Sequence, residues 1–137
     1  MTENRPFSVP LEVRFRDIDA MGHVNNAVMF TYFEEGRKHF FFQHLQTRTA
    51  IGFNFILARI GCDYLKPVTL TDRPLLQMWI DDIGTKSFTI AYRLVDRDDA
   101  AIVYAEGESV QVCYDYAQKR SIPVPDDLKS VLEGHRR

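Results

Sequence analysis

Within seven positions the chain places two carboxylates and an imidazole, Asp17, Asp19 and His23, directly ahead of Asn25 and Asn26. Carboxylates and imidazoles move protons near neutral pH, so the cluster has the parts for a general base, a nucleophile or a metal site. A metal site would draw on both carboxylates and the ring, but no further His or carboxylate lies at ligand spacing nearby. A purely structural reading is also open, because short polar side chains ahead of a helix cap its amides and satisfy loop N–H groups. Catalysis has its own physical basis. A helix N-terminus offers unpaired amides and a partial positive charge, and both can polarise a carbonyl oxygen held beside a carboxylate.

The elements around the cluster must hold it in place. Val9, Leu11, Val13 and Phe15 alternate with Glu12, Arg14 and Arg16, which predicts a half-buried strand feeding the polar loop. A helix is expected from near Asn26 to about Leu45. Met29, Phe33, Gly36 and Phe40 line one face, while Glu34, Arg37 and Lys38 point elsewhere. Phe30, Tyr32, Phe41 and Phe42 widen the apolar surface, so the helix should lie against a sheet that wraps it.

After the helix the period becomes 2. Ile56, Ala58, Ile60, Cys62 and Tyr64 alternate, then Leu76, Met78 and Ile80, then Phe88, Ile90, Tyr92 and Leu94. A last strand from Ala101 to Tyr114 changes parity between Ala105 and Val110, which predicts a bulge near Gly107. Gly84–Thr85 and the run from Asp96 to Asp99 suit hairpin turns, and PVPDDLKSVLEG suits a short surface helix. The fold class is therefore α+β, an antiparallel sheet of about five strands around one long helix.

The 137 residues suit one domain over 1–137, and the 45% hydrophobic content suffices for a core without disulfides or metal. A formal net charge of -2 lacks the basic excess needed to bind a phosphate backbone, which argues against nucleic acid. The first ten residues carry no apolar run of the kind a leader needs, and no window suits membrane insertion, so a cytosolic location is expected. Cys62 and Cys113 lie in strand-like patterns without CxxC or Cys/His spacing and read as buried thiols.

The segment VRFRDIDAMGHVNNAVMFTYFEEGRKHFF, Val13 to Phe41, resembles the signature of hotdog-fold acyl-CoA thioesterases of the 4-hydroxybenzoyl-CoA thioesterase type. Within that family it is more similar to the branch acting on fatty acyl-CoA. The resemblance implies that the second carboxylate of D-x-D, here Asp19, is catalytic, as nucleophile or as general base. It implies that the backbone amide polarising the thioester carbonyl belongs to Asn26. It also implies a part for His23, whose counterpart in plant acyl-ACP thioesterases is implicated in catalysis, although this chain has Met21 where those enzymes carry a further asparagine.

For the coenzyme, the resemblance points to the turn GTKSF, with Lys86 and Ser87 near a subunit interface. Met29, Phe33 and Gly36 would line the acyl group, with a lean to medium or long chains. No organic cofactor or metal is implied, and the assembly is a homodimer or a dimer of dimers. A non-catalytic acyl-CoA or acyl-carrier-binding hotdog protein is the competing reading, and aroyl-CoA or acyl-ACP the competing substrates.

Overall fold

The computed structural model describes residues 5–45 and 55–137. The chain runs β1 (Phe7–Pro10), a 3-10 turn (Phe15–Asp17), α1 (Val28–Leu45), β2 (Phe55–Tyr64), β3 (Pro74–Ile83), β4 (Ser87–Asp96), β5 (Val103–Asp115), β6 (Arg120–Ser121) and α2 (Asp126–Glu133). The main strands pair in the order β1-β3-β4-β5-β2, all antiparallel, and β6 adds a short pairing to β5. This is the expected α+β sheet with one long helix against it.

The helix face follows directly from spacing. Met29, Tyr32, Phe33, Gly36, Arg37, Phe40 and Phe41 are all buried, at intervals of 3 and 4, while Thr31, Glu34, Lys38 and His39 face outward. Against this face β3 and β4 present Leu76, Met78, Ile80, Phe88, Ile90, Tyr92 and Leu94, each at most 2% exposed. Phe33 stacks on the Tyr92 ring with centroids 4.3 Å apart and planes within 8°.

Two close approaches set how deeply the helix sits. A Cβ on Gly36 would lie 2.6 Å from Met78 Sδ and would overlap Leu76 Cδ2. A Cβ on Gly107 would lie 2.6 Å from Phe33 Cε2 and 2.6 Å from the Gly61 carbonyl oxygen.

Four expectations are corrected. The first strand is shorter and earlier than Val9–Phe15. Leu11 and Val13 stay buried, but at Arg14 the chain turns, its N–H donating to Asp17 Oδ2 at 2.9 Å, and Phe15 is left 84% exposed. The helix begins two residues after Asn26, because Asn25 takes the Ala27 and Val28 amides before regular bonding starts. The parity change in β5 is not a bulge at Gly107, which pairs regularly with Tyr92 and Cys62; the register instead skips Tyr104, and a second shift in β2 skips Ala58. The inward residues of β5 past Gly107 are Ser109, Gln111 and Cys113, each fully buried. Finally, Arg37 does not point outward but is buried under α1, where it donates to Tyr92 Oη at 3.0 Å.

Gly107 is thus required for space. Gly107→Ala should lower unfolding free energy by about 2 kcal/mol, because backbone and ring must both shift. Gly61→Ala, whose Cβ would meet nothing within 4 Å, should change it by less than about 0.5 kcal/mol. Equal urea midpoints for the two variants would show that the helix contact is slack.

Candidate functional site

The polar loop is built from short-range hydrogen bonds. The Asp19 N–H donates to the His23 carbonyl at 2.8 Å and the Gly22 N–H to the Asp19 carbonyl at 3.0 Å, closing a tight turn. Gly22 sits at φ +81°, a backbone state that a side chain would strain. Oδ1 of Asp19 accepts from the Met21 N–H at 2.9 Å and the His23 N–H at 3.3 Å. Its second oxygen accepts no hydrogen bond among the described residues. Fixed by one oxygen and open at the other, this carboxylate is oriented and still able to accept a proton or attack carbon.

Asp17 is used differently. Its Oδ2 accepts from the Arg14 N–H at 2.9 Å and from Tyr32 Oη at 2.8 Å, which joins the loop to the buried face of α1. Burial, then the bond to Asp17, holds the Tyr32 phenol protonated far above its usual range. The Val24 N–H donates to the Val68 carbonyl at 2.8 Å, tying the loop to the segment after β2.

At the helix entrance the peptide following Asn26 is held from both sides. The Ala27 N–H donates to Asn25 Oδ1 at 2.8 Å, and Tyr64 Oη donates to the Asn26 carbonyl at 2.6 Å. The preceding peptide is fixed by its carbonyl, which accepts from the Val28 N–H at 2.9 Å. That leaves the Asn26 N–H without an acceptor among the described residues, in a rigid peptide at the N-terminus of an 18-residue helix. Sequence reading singled out Asn26 but not the Tyr64 hydroxyl that clamps it. The signal was present only as a tyrosine at the end of a strand, 38 residues away.

Asp19, His23, Asn26 and Met29 line one cleft of about 230 Å³, closed on its other side by Tyr64 to Val68. His23 is half-buried there. Phe33 and Gly36 do not reach it; they lie in the packed interface with Tyr92, Gly107, Leu76 and Met78. Gly36 therefore opens no groove along this face, because β3 side chains fill the space. Lys86 and Ser87 are also elsewhere. Ser87 pairs with Val112, which pairs with Ile56, whereas Tyr64 marks the opposite end of β2, and Lys86 Nζ donates to Ser121 Oγ at 3.4 Å.

Neither cysteine has a depressed pKa. Burial, with Asp63 adding to it, pushes the Cys62 thiol up to about 11, and burial raises that of Cys113. Among the described residues no three His, Cys, Asp or Glu side chains are grouped to hold a metal ion, and no helix is long and apolar enough to cross a membrane.

An oriented carboxylate beside a free amide at a helix N-terminus is an arrangement suited to acyl transfer to water. The comparisons agree with this chemistry. The model of the thioesterase-like superfamily matches residues 13–132. The chain is 28% identical over 142 residues to a 1,4-dihydroxy-2-naphthoyl-CoA hydrolase of Nostoc punctiforme, covering 96% of this chain and 89% of that protein. It is 24% identical over 125 residues to the long-chain acyl-CoA thioesterase FadM of Escherichia coli, covering 90% and 94%. Among solved structures, a thioesterase from Thermus thermophilus complexed with coenzyme A and Zn superposes with a TM-score of 0.83 at 30% identity, covering 96% of this chain and 95% of that one. The chain belongs to the thioesterase-like superfamily of hotdog-fold proteins, and it is a thioester hydrolase.

Proposed function

We propose that the protein hydrolyses acyl-CoA thioesters at the cleft between the 17–24 loop and the segment after β2. The observation that carries this reading is the Asp19 carboxylate, with one oxygen held and one open, in the same cleft as the unpaired Asn26 N–H. The thioester carbonyl oxygen accepts from that N–H, aided by the positive end of α1, so negative charge developing on it is stabilised. Asp19 either attacks the carbonyl carbon, giving a mixed anhydride that water opens, or deprotonates the attacking water. In both routes the CoA thiolate departs. His23, on the same cleft, orients water or the thioester.

The assembly is part of the same proposal. β2 ends the strand order, so its outer edge pairs with nothing among the described residues, and it exposes Ile56 at 39%, Leu57 at 44% and Tyr64 at 45%. A ten-residue edge bearing exposed apolar groups is a liability that pairing with a second copy removes. Tyr64 and Leu57 are seven residues apart, about 23 Å along the strand. Antiparallel pairing of β2 with its copy brings Leu57 of one protomer toward Tyr64 of the other. The Asp19 cleft of one chain then lies near the Lys86–Ser87 turn of its partner, where those two residues can reach the coenzyme. The same pairing brings it near a cleft of about 520 Å³ between α1 and β2, lined by Phe41, Phe42, Phe55 and Leu57 together with the charged Glu34, Arg37 and Lys38. This cleft, rather than the face carrying Met29, Phe33 and Gly36, is the place for a medium or long acyl group. A cytosolic location completes the reading.

Asp19→Ala should lower kcat for acyl-CoA hydrolysis by about a thousandfold or more. Asp17→Ala should retain kcat within tenfold while lowering Tm, since Asp17 only ties the loop to Tyr32. Free-thiol release and thermal unfolding measure both, and an Asp19→Ala protein as active as the parent would overturn the assignment. Light scattering at micromolar concentration should give at least a dimer, with Leu57→Lys shifting the population to monomer and reducing activity. A fully active monomer would contradict the edge pairing.

A further inference from the structure

Two imidazoles meet at the end of α1 remote from the Asp19 cleft. His44 lies in the last turn of α1 and His135 follows α2, and their Nε2 atoms are 2.9 Å apart. His44 Nδ1 lies 2.9 Å from the Phe40 carbonyl, which can only accept, so Nδ1 carries a proton. In neutral His44 the Nε2 atom is then a lone pair, and His135 Nε2–H donates to it. One bond therefore fixes both tautomers. His135 Nδ1 has no partner among the described residues and can take a first proton without breaking the bond. A second proton, on His44 Nε2, sets two N–H groups against each other and ends it.

Nothing nearby offsets such charge. The rings of Phe7 and Phe40 pack against both imidazoles, with centroids 4.6 to 6.4 Å away. Among the described residues neither imidazole forms an ion pair. On α2 and beyond it, Glu133 pairs with Arg136 at 3.9 Å; on β3, Asp81 pairs with Arg137 at 3.2 Å and Asp82 is exposed. On α1, Glu35 takes Lys38 and His39, and Arg5 ahead of β1 is exposed. Burial, and then the His44 ring beside it, hold the His135 imidazole below its ordinary range.

The pair ties down a strip of backbone. β1 covers the outer edge of β3 from Leu75 to Met78, and residues 135–137 continue that cover past Ile80. The Ile80 N–H donates to the His135 carbonyl at 3.0 Å, and the Arg137 N–H donates to the Ile80 carbonyl at 2.9 Å. Arg137 then lies over the Trp79 ring, 5.1 Å from its centroid. Through His135 this strip is also bonded to α1.

We infer that the His44–His135 pair is a pH-sensitive latch, closing residues 135–137 over the β3 edge at neutral pH and releasing them when both rings are protonated. A released His135 titrates near the ordinary imidazole value of about 6.5, above its value in the closed state, so the open state binds more protons. The latch is accordingly at full strength above that pH and weakens as pH falls through it.

Amide hydrogen exchange on the full chain reads the latch directly. Between about pH 7.5 and about pH 5 the protection factors of the Ile80 and Arg137 amides should fall at least about tenfold relative to those of β4, since local opening is favoured by each proton the open state gains. His135→Gln, whose amide N–H can still donate to His44 but takes up no proton, should make that ratio independent of pH. Nitrogen-15 spectra of the imidazoles should place the proton on Nδ1 of His44 and on Nε2 of His135 at the upper pH. A parent ratio unchanged over this range would overturn the proposal, and so would an equal fall in His135→Gln. Should that variant fail to fold, the parent decides: loss of protection must follow protonation of the His135 ring, and loss without it would contradict the latch.

Discussion

The closeness with which α1 lies on the sheet governs the rest of the molecule. Gly36 lets the helix backbone meet Leu76 and Met78 on β3, and Gly107 lets the Phe33 ring lie over β5 while it stacks on Tyr92. Side chains at these points would lift the helix and open a gap beneath several fully buried aromatic rings, with a loss of dispersion contacts and apolar burial. Because the helix sits so low, Tyr32 reaches Asp17 and Tyr64 reaches the Asn26 carbonyl. Those two hydroxyls fix the loop and the helix entrance relative to each other. The open oxygen of Asp19 and the free N–H of Asn26 therefore occupy a shared cleft as a consequence of packing on the opposite side of the helix.

The same closeness explains the buried polar layer. A helix seated on the sheet leaves little room for Arg37 to reach water along its whole length, so its Nη1 donates to Tyr92 Oη while the residue lines the cleft beside β2. Polar residues then continue inward through Ser109 and Gln111, positions that an apolar core would otherwise fill. Such a layer is stable only when each member has a partner, and here each neutral member has one.

Sequence reading recovered the elements whose inward residues are all apolar. β3, β4 and the helix face could be read from spacing alone, because Leu76, Met78, Ile80, Phe88, Ile90, Tyr92 and Leu94 alternate without interruption and are all buried. It failed where burial and polarity part company. In β5 the parity rule favoured Val110 and Val112, which are half-buried on the outer face, over Ser109 and Gln111, which are fully buried. Arg37 was assigned outward for its charge, and its partner Tyr92 lies 55 residues away. Asp17, Asp19, His23 and Asn26 could be singled out because the cluster is local and the resemblance fixes their register. The residues that hold them, Tyr32, Tyr64 and Val68, come from elements whose contacts only the fold creates.

The proposed site divides a single substrate between two chains, with the reacting carbonyl on one protomer and the acyl group on the other. The most direct measurement is a crystal structure of Asp19→Asn with a non-hydrolysable acyl-CoA analogue that keeps the carbonyl. The account predicts the carbonyl oxygen about 3 Å from the Asn26 nitrogen of one protomer. The acyl group should lie between α1 and β2 of its partner, with the two β2 edges paired. A carbonyl oxygen remote from Asn26, or an acyl group seated away from the α1–β2 cleft, would contradict it.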